Sequence, residues 1–308
     1  MVTRKRAPTY GKAHSFGGDW TSTKLDILGE YLGRYTIALK NQPSPNRPFV
    51  KAYIDAFAGT GYRSRGGDEE ATPETLLFPD LAEPAPQELL DGSARMALKT
   101  QPRFDRYIFI ERSPKRCQEL EGLKAEFPDV ARDIKIKQGE ANEQIRMLCK
   151  KDWSSRRAVL FLDPYGMQVE WETIEAIAAT KAIDLWVLFP LGVGVNRLLT
   201  RSGEISPSWR ARLDKLLGRR DWYDKFYRVE SEPSLFGTED HVVKATMETI
   251  GRYFVERLKE VFPGVAEEPA ILRNSARCPL YLLCFAASNR RGAPTALRIA
   301  NHLLKAVR

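Results

Sequence analysis

Five apolar runs recur along the chain: "FVKAYIDAFA" (49–58), "RYIFIE" (106–111), "IKIKQG" (134–139), "AVLFLD" (158–163) and "DLWVLFP" (184–190). Each is short, rich in β-branched or aromatic residues, and separated from the next by a segment with helical spacing. The helical segments are "GSARMALKT" from Gly92, "SPKRCQELEGLKAEF", "ANEQIRMLCK" and "WETIEAIAAT". Strands that alternate with helices imply right-handed crossovers and a mainly parallel sheet. An open parallel sheet binds ligands outside the carboxyl ends of its strands. Function is therefore sought where each apolar run stops.

The remaining segments fit around this unit. Residues 1–19 are polar and basic, and read as a flexible tail. "WTSTKLDILGEYLGRYTIALK" places Leu25, Leu28, Leu32, Tyr35 and Leu39 at helical spacing. Ser93 is a candidate N-cap, and Ser113-Pro114 pairs a capping residue with a helix-starting proline. Residues 62–92 form an acidic loop. It reads as a cover over a ligand, a docking surface for a basic partner, or a surface insertion with no role. Residues 196–275 read as a mostly helical insertion before a last strand, "PLYLLCFAAS" (279–288), and a closing helix. Residues 20–308 are expected to form a single α/β domain.

Composition narrows the classes. No apolar run is long enough to span a membrane. The basic N-terminus lacks the apolar core of a secretory signal. Cys117, Cys149, Cys278 and Cys284 form no CxxC pair, and His14, His241 and His302 are far apart. A reducing cytoplasm is expected, with no zinc site and no metal. The net charge is +8, but it is segregated: residues 68–91 carry eight acids and no Lys or Arg, whereas 197–228 carry nine Lys or Arg against four acids.

The first strand ends in Asp55-Ala56-Phe57-Ala58-Gly59-Thr60-Gly61. Small residues let backbone approach a ligand, and the amides can receive a polar or anionic group. The full GxGxxG spacing is missing and no Lys-Ser/Thr follows, which excludes a P-loop and disfavours a nicotinamide dinucleotide enzyme. The second strand ends in Glu111-Arg112, where an acid can accept from both ribose hydroxyls or simply be a solvated strand-end Glu. The third ends at Glu140, Ala141 and Asn142, either an adenine-facing group or an ordinary turn and cap. The fourth ends in Asp163-Pro164-Tyr165-Gly166, the sharpest signal. A carboxylate and a proline carbonyl beside an aromatic ring suit a planar amine, which donates its N–H groups to them while its ring stacks; the alternative is a tight turn that caps a buried strand.

These stations, in this order, resemble a class I S-adenosylmethionine (SAM)-dependent methyltransferase across roughly residues 50–190. The resemblance implies a Rossmann-like doubly wound sheet and SAM as cofactor. Asp55, Phe57, Ala58, Gly59, Thr60 and Gly61 would form the glycine loop. Glu111 and Arg112 would sit at the ribose, and Glu140, Ala141 and Asn142 at the adenine. Asp163, Pro164, Tyr165 and Gly166 would form the catalytic station. "WTSTKLDILGEYL", "YIDAFAGTG", "GSARMAL", "FLDPYG" and "PLYLLCFAASNRRG" together resemble the three-Cys-motif partner protein family over nearly the whole chain. That likeness implies a separate three-cysteine, radical-SAM-type partner. DPYG is also similar to the DPFG of tRNA guanine-N2 methyltransferases and, more loosely, to the DPPY of adenine-N6 methyltransferases. Both groups methylate exocyclic amines. A chain that keeps the fold and only docks the three-cysteine protein is the alternative.

Partner surfaces are read from charge. Arg197, Arg201, Arg219 and Arg220 interleave with Trp209, Trp222, Tyr223, Phe226 and Tyr227, and Arg290 and Arg291 follow the last strand. Arginines can hold phosphates of RNA or DNA while aromatics stack on unpaired bases. The competing reading is an amphipathic helical unit with its aromatics in the core. Arg4, Lys5 and Arg6 could reach a phosphate backbone, and His14 could act as a base.

Overall fold

The computed structural model describes residues 20–58, 92–164, 166–234 and 237–307 of the 308. The basic tail with Arg4, Lys5, Arg6 and His14, the loop residues Gly59, Thr60 and Gly61, the acidic segment through Asp91, and Tyr165 lie outside the described residues.

Strands β1 (Val50–Asp55), β2 (Arg106–Glu111), β3 (Ile134–Gln138), β4 (Arg156–Leu162) and β5 (Ile183–Phe189) fall on the five apolar runs. They pair in parallel in the order 3-2-1-4-5. The strand order turns between β1 and β4, the switch point of a doubly wound sheet. This is the Rossmann-like, mainly parallel sheet expected from the sequence.

Parallel strands covered on both faces are apolar throughout, so alternate residues feed two cores. Leu185, Val187 and Phe189 of β5 join one cluster with Ile54, Leu160 and Leu162. Trp186 and Leu188 join the other with Tyr53, Phe109 and Phe161. Helices α1 (Trp20–Ala38), α2 (Ser93–Lys99) and α3 (Pro114–Glu126) contribute Leu28, Tyr31, Ala97 and Leu120 to that second cluster. Helices α4 (Ala141–Cys149) and α5 (Trp171–Ala179) contribute Ile145 and Ile174 to the first. Ser113 caps α3, accepting from the Arg116 amide. Ser93 does not cap α2. Gly92 takes that position, and the Ser93 hydroxyl bonds Asp55 instead.

The segment after β5 is less helical than expected. It opens with a π-turn at Leu191–Val195, in which a side chain on Gly192 would come within 1.9 Å of the Pro279 carbonyl oxygen. Helices α6 (Pro207–Leu217) and α7 (Trp222–Phe226) follow. Strands β6 (Tyr227–Ser234) and β7 (Gly237–Lys244) then form a separate antiparallel hairpin. Helix α8 (Met247–Val261) leads to two short strands, β8 (Gly264–Val265) and β9 (Ala270–Arg273). The hairpin pairs only with itself and its strands are mixed with charge, so no apolar run marks it. Strand β10 (Pro279–Ala287) runs antiparallel beside β5 and also pairs with β8 and β9, which completes eight strands. Helix α9 (Ala293–Lys305) closes the fold. Among the described residues, no helix is long and apolar enough to cross a membrane.

Candidate functional site

Asp55, Glu111 and Asp163 converge on one edge because each terminates, or directly follows, a strand beside the switch point. Asp55 is the last residue of β1 and is fully buried. The Tyr53 hydroxyl and the Phe57 amide each donate to its carboxylate at 3.3 Å, and the Ser93 hydroxyl also bonds it. Burial pushes its pKa up to about 6; the three hydrogen bonds oppose that rise and the nearby charge of Asp163 adds to it. Past Asp55 the backbone stays tied to both neighbouring strands. Ala56 donates to the Phe161 carbonyl at 3.2 Å, and Ala58 donates to the Ile110 carbonyl at 3.1 Å. The chain turns at Ala56 and Phe57 and stays tied across the switch point as far as Ala58, with Phe57 half-buried.

Glu111 ends β2 and is buried, while Arg112 beside it is exposed. The Ser113 amide donates to Glu111 Oε1 at 2.8 Å, which fixes the carboxylate at the strand end. At the third strand end, Glu140 is exposed and caps α4. It accepts from the amides of Asn142 at 3.0 Å and Glu143 at 2.8 Å. Ala141 and Asn142 are buried. The Asn142 amide is fully occupied inside the protein. Its nitrogen donates to Glu140 Oε1 (2.7 Å) and the Gln168 carbonyl (2.9 Å), and its oxygen accepts from the Glu170 amide (3.0 Å) and the Thr173 hydroxyl (2.9 Å). Asn142 therefore clamps the loop after β4 onto α4. Its side chain has no donor or acceptor left for an adenine edge, and of Glu140, Ala141 and Asn142 it is Glu140 that keeps an exposed polar side chain.

Asp163 and Pro164 follow β4, and Gly166 adopts φ +63°, a left-handed turn that suits glycine. Sequence reasoning missed the partner of Asp163. Lys24 of α1 forms an ion pair with Asp163 Oδ2; its side chain is 7% exposed and that of Asp163 27%. The Lys24 ammonium also lies 4.9 Å from the centroid of the Trp20 ring, which stacks on Tyr281 at 5.1 Å. One signal was present. Lys24 stands three and four residues before Ile27 and Leu28, on the buried stripe of α1. A charged residue on such a stripe needs a partner.

The six arginines do not share a surface. Arg197 and Arg201 lie on the segment leaving the carboxyl end of β5. Lys244 anchors that segment by donating to the Asn196 and Leu199 carbonyls at 2.7 Å each. Arg290 and Arg291 follow β10, whose last residue, Ala287, pairs with Asp184 near the start of β5. The antiparallel direction of β10 places them at the opposite edge of the sheet, not beside Arg197. Arg219 pairs with Glu260 at 2.7 Å and Arg220 with Asp214 at 3.5 Å. Trp222 and Phe226 are fully buried, and Trp209 and Tyr223 pack against the same core. These aromatics are core residues, not a stacking platform.

No family model and no curated protein matches the sequence. Among solved structures, the chain is similar to protein LPL1258 of Legionella pneumophila, a member of the DUF519 family. That match has a TM-score of 0.38 and 15% identity, covering 78% of this chain and 94% of that one. It is also similar to a putative O-methyltransferase from Klebsiella pneumoniae (TM-score 0.34, 10% identity, 74% and 92% covered). A third is Aeropyrum pernix fibrillarin with bound S-adenosyl-L-methionine (TM-score 0.31, 10% identity, 87% and 76% covered). The fold assignment rests on the strand order itself.

Proposed function

We propose that the chain is an SAM-dependent methyltransferase that acts on an exocyclic amine of a nucleic-acid base, beside a three-cysteine, radical-SAM-type partner. One observation carries the reading: Asp55, Glu111 and Asp163 end three adjacent parallel strands around the switch point. Asp55, Glu111 and Asp163 put three carboxylates at this edge, with Lys24 and Arg112 beside them, and the carboxylates suit a positively charged ligand such as a sulfonium. SAM supplies an electrophilic methyl group.

The chain's own residues bind and align. Asp55 and the Phe57–Ala58 backbone shape the methionine side, continued by Gly59, Thr60 and Gly61. Glu111 accepts from the ribose hydroxyls, with Arg112 beside it. Glu140 and the Ala141 backbone border the adenine. The Asp163 carboxylate and the Pro164 carbonyl accept the N–H bonds of the acceptor amine and aim its lone pair. Tyr165 is the ring the sequence offers for stacking, and Gly166 makes the turn. Arg197 and Arg201, at the same edge, support a phosphate-bearing acceptor. The three-cysteine partner is supported by the sequence resemblance. A docking subunit without chemistry is the second reading, favoured by the Lys24 ion pair that already engages Asp163.

The test is transfer of label from methyl-tritiated SAM to pooled RNA and DNA, with and without the three-cysteine protein, followed by nucleoside analysis. An N-methylated nucleoside is expected. Asp163→Ala should lower the rate by about a hundredfold or more and leave affinity for the demethylated product, S-adenosylhomocysteine (SAH), nearly unchanged. Wild-type rates in Asp163→Ala remove Asp163 from the mechanism. SAH binding without any transfer supports the docking subunit.

A further inference from the structure

Lys24 is a buried cation at the ligand edge that the catalytic roles above do not use. Its burial is not explained by stability. Desolvating an ion pair costs about as much as the pairing returns, and an apolar side chain of the same volume usually serves as well. Its position is fixed by the fold and not by its own side chain. Helix α1 is pinned by buried Ile27 and Leu28, by the Tyr31 hydroxyl donating to Asp184 at 2.9 Å, and by the Trp20–Tyr281 stack. The Trp20 ring face covers one side of the ammonium. Asp163 keeps more than a quarter of its side chain exposed, so the pair is open from the Asp163 side.

An ammonium has three donors and no acceptor; a carboxylate has only acceptors. Side by side, Lys24 Nζ and Asp163 present one donor and one acceptor to whatever approaches the end of β4. Resting on the methyltransferase reading, we propose that Lys24 is a specificity-determining residue, and that Lys24 and Asp163 together select an amine flanked by an unprotonated ring nitrogen. The amine N–H goes to Asp163 and the ring nitrogen accepts from Lys24. The 4-aminopyrimidine edge shared by adenine and cytosine has this pattern; an alkylamine or an aniline does not. The pair reads two adjacent atoms of one planar edge. A site built to hydrogen-bond both rejects a molecule that offers only one, because a buried donor is then left unsatisfied.

The experiment is ligand-observed NMR titration with 4-aminopyrimidine and with aniline, on the full chain saturated with SAH at pH 8. Wild type should bind 4-aminopyrimidine about tenfold or more tightly than aniline. Lys24→Met should bind SAH as wild type does and lose the preference. Lys24→Arg, which keeps a donor, should retain part of it and remains informative if the Met variant does not fold. Equal affinity for the two fragments in wild type, or an undiminished preference in Lys24→Met, overturns the proposal. Failure of wild type to bind SAH is read first and separately; it defeats the methyltransferase reading and the proposal with it.

Discussion

Burial raises the Asp184 carboxyl to about 7, although the Tyr31 hydroxyl, the Ser288 amide and the charge of Arg157 all favour its ionised form. Asp184 lies near the start of β5, at the edge away from the candidate site, so it reports on stability and not on chemistry. An acid with a raised folded pKa holds its proton longer in the folded state than in the unfolded chain. The contribution of Asp184 to stability is therefore fully present below about pH 4, the unfolded value, and is lost as the pH rises through about 7. A carboxyl that titrates one pH unit higher in the folded state than in the unfolded chain changes stability by about 1.4 kcal/mol across that window. Asp55, raised to about 6, acts in the same direction over a narrower window. Urea unfolding at pH 5 and pH 8 should show the wild type weaker at pH 8, with a smaller difference in Asp184→Asn. An unchanged pH dependence in the variant removes Asp184 as its source. At this scale the sequence showed Asp55, Glu111 and Asp163 because each follows an apolar run. It did not show that Lys24 meets Asp163, since 139 positions separate them and only the packing of α1 across the sheet brings them together.

Helix α4 and the loop after β4 behave as one piece because Asn142 joins them. Its amide satisfies the Gln168 carbonyl and the Glu170 amide, and Arg146 pairs with Glu170 at 2.7 Å alongside. Asn142→Ala removes a partner from the half-buried Gln168 carbonyl and Glu170 amide, at a cost of about 1–3 kcal/mol. Denaturant unfolding should show that loss, and a variant within 0.5 kcal/mol, roughly the range of a surface substitution, would sink the clamp assignment. The strands of the parallel half were legible because burial on both faces leaves a continuous apolar run. The hairpin at Tyr227–Lys244 was not. Its strands pair only with each other, and residues such as Glu230, Glu232, Glu239 and Asp240 carry charge along it. The stripe of α1 was read slightly out of phase. Leu25 and Leu39 are only half-buried, whereas Ile27 and Tyr31 are buried, because the helix packs against β5 and β10 through Tyr31, Trp186 and Phe285.

Across the whole molecule, the direction of a single strand decides which surfaces can cooperate. The apolar run at 279–288 marked β10 but not its antiparallel course. That course carries Arg290 and Arg291 to the edge opposite Asp55, Glu111 and Asp163, and leaves Arg197 and Arg201 as the candidates for an acceptor's phosphates. The parallel order 3-2-1-4-5 was legible as a class from the alternation of elements, while the pairing of β10 with β5, β8 and β9 depends on contacts far apart in sequence. The row of strand-end acids is the proposed cofactor site. The measurement is isothermal titration calorimetry of the full chain with SAH, with NAD as the competing ligand and Glu111→Ala as the control. One SAH per chain, no binding of NAD, and a loss of about tenfold or more in affinity in Glu111→Ala are expected, since hydrogen bonds to a charged group are lost. Binding of NAD that SAH cannot displace, or SAH affinity unchanged in Glu111→Ala, would contradict it.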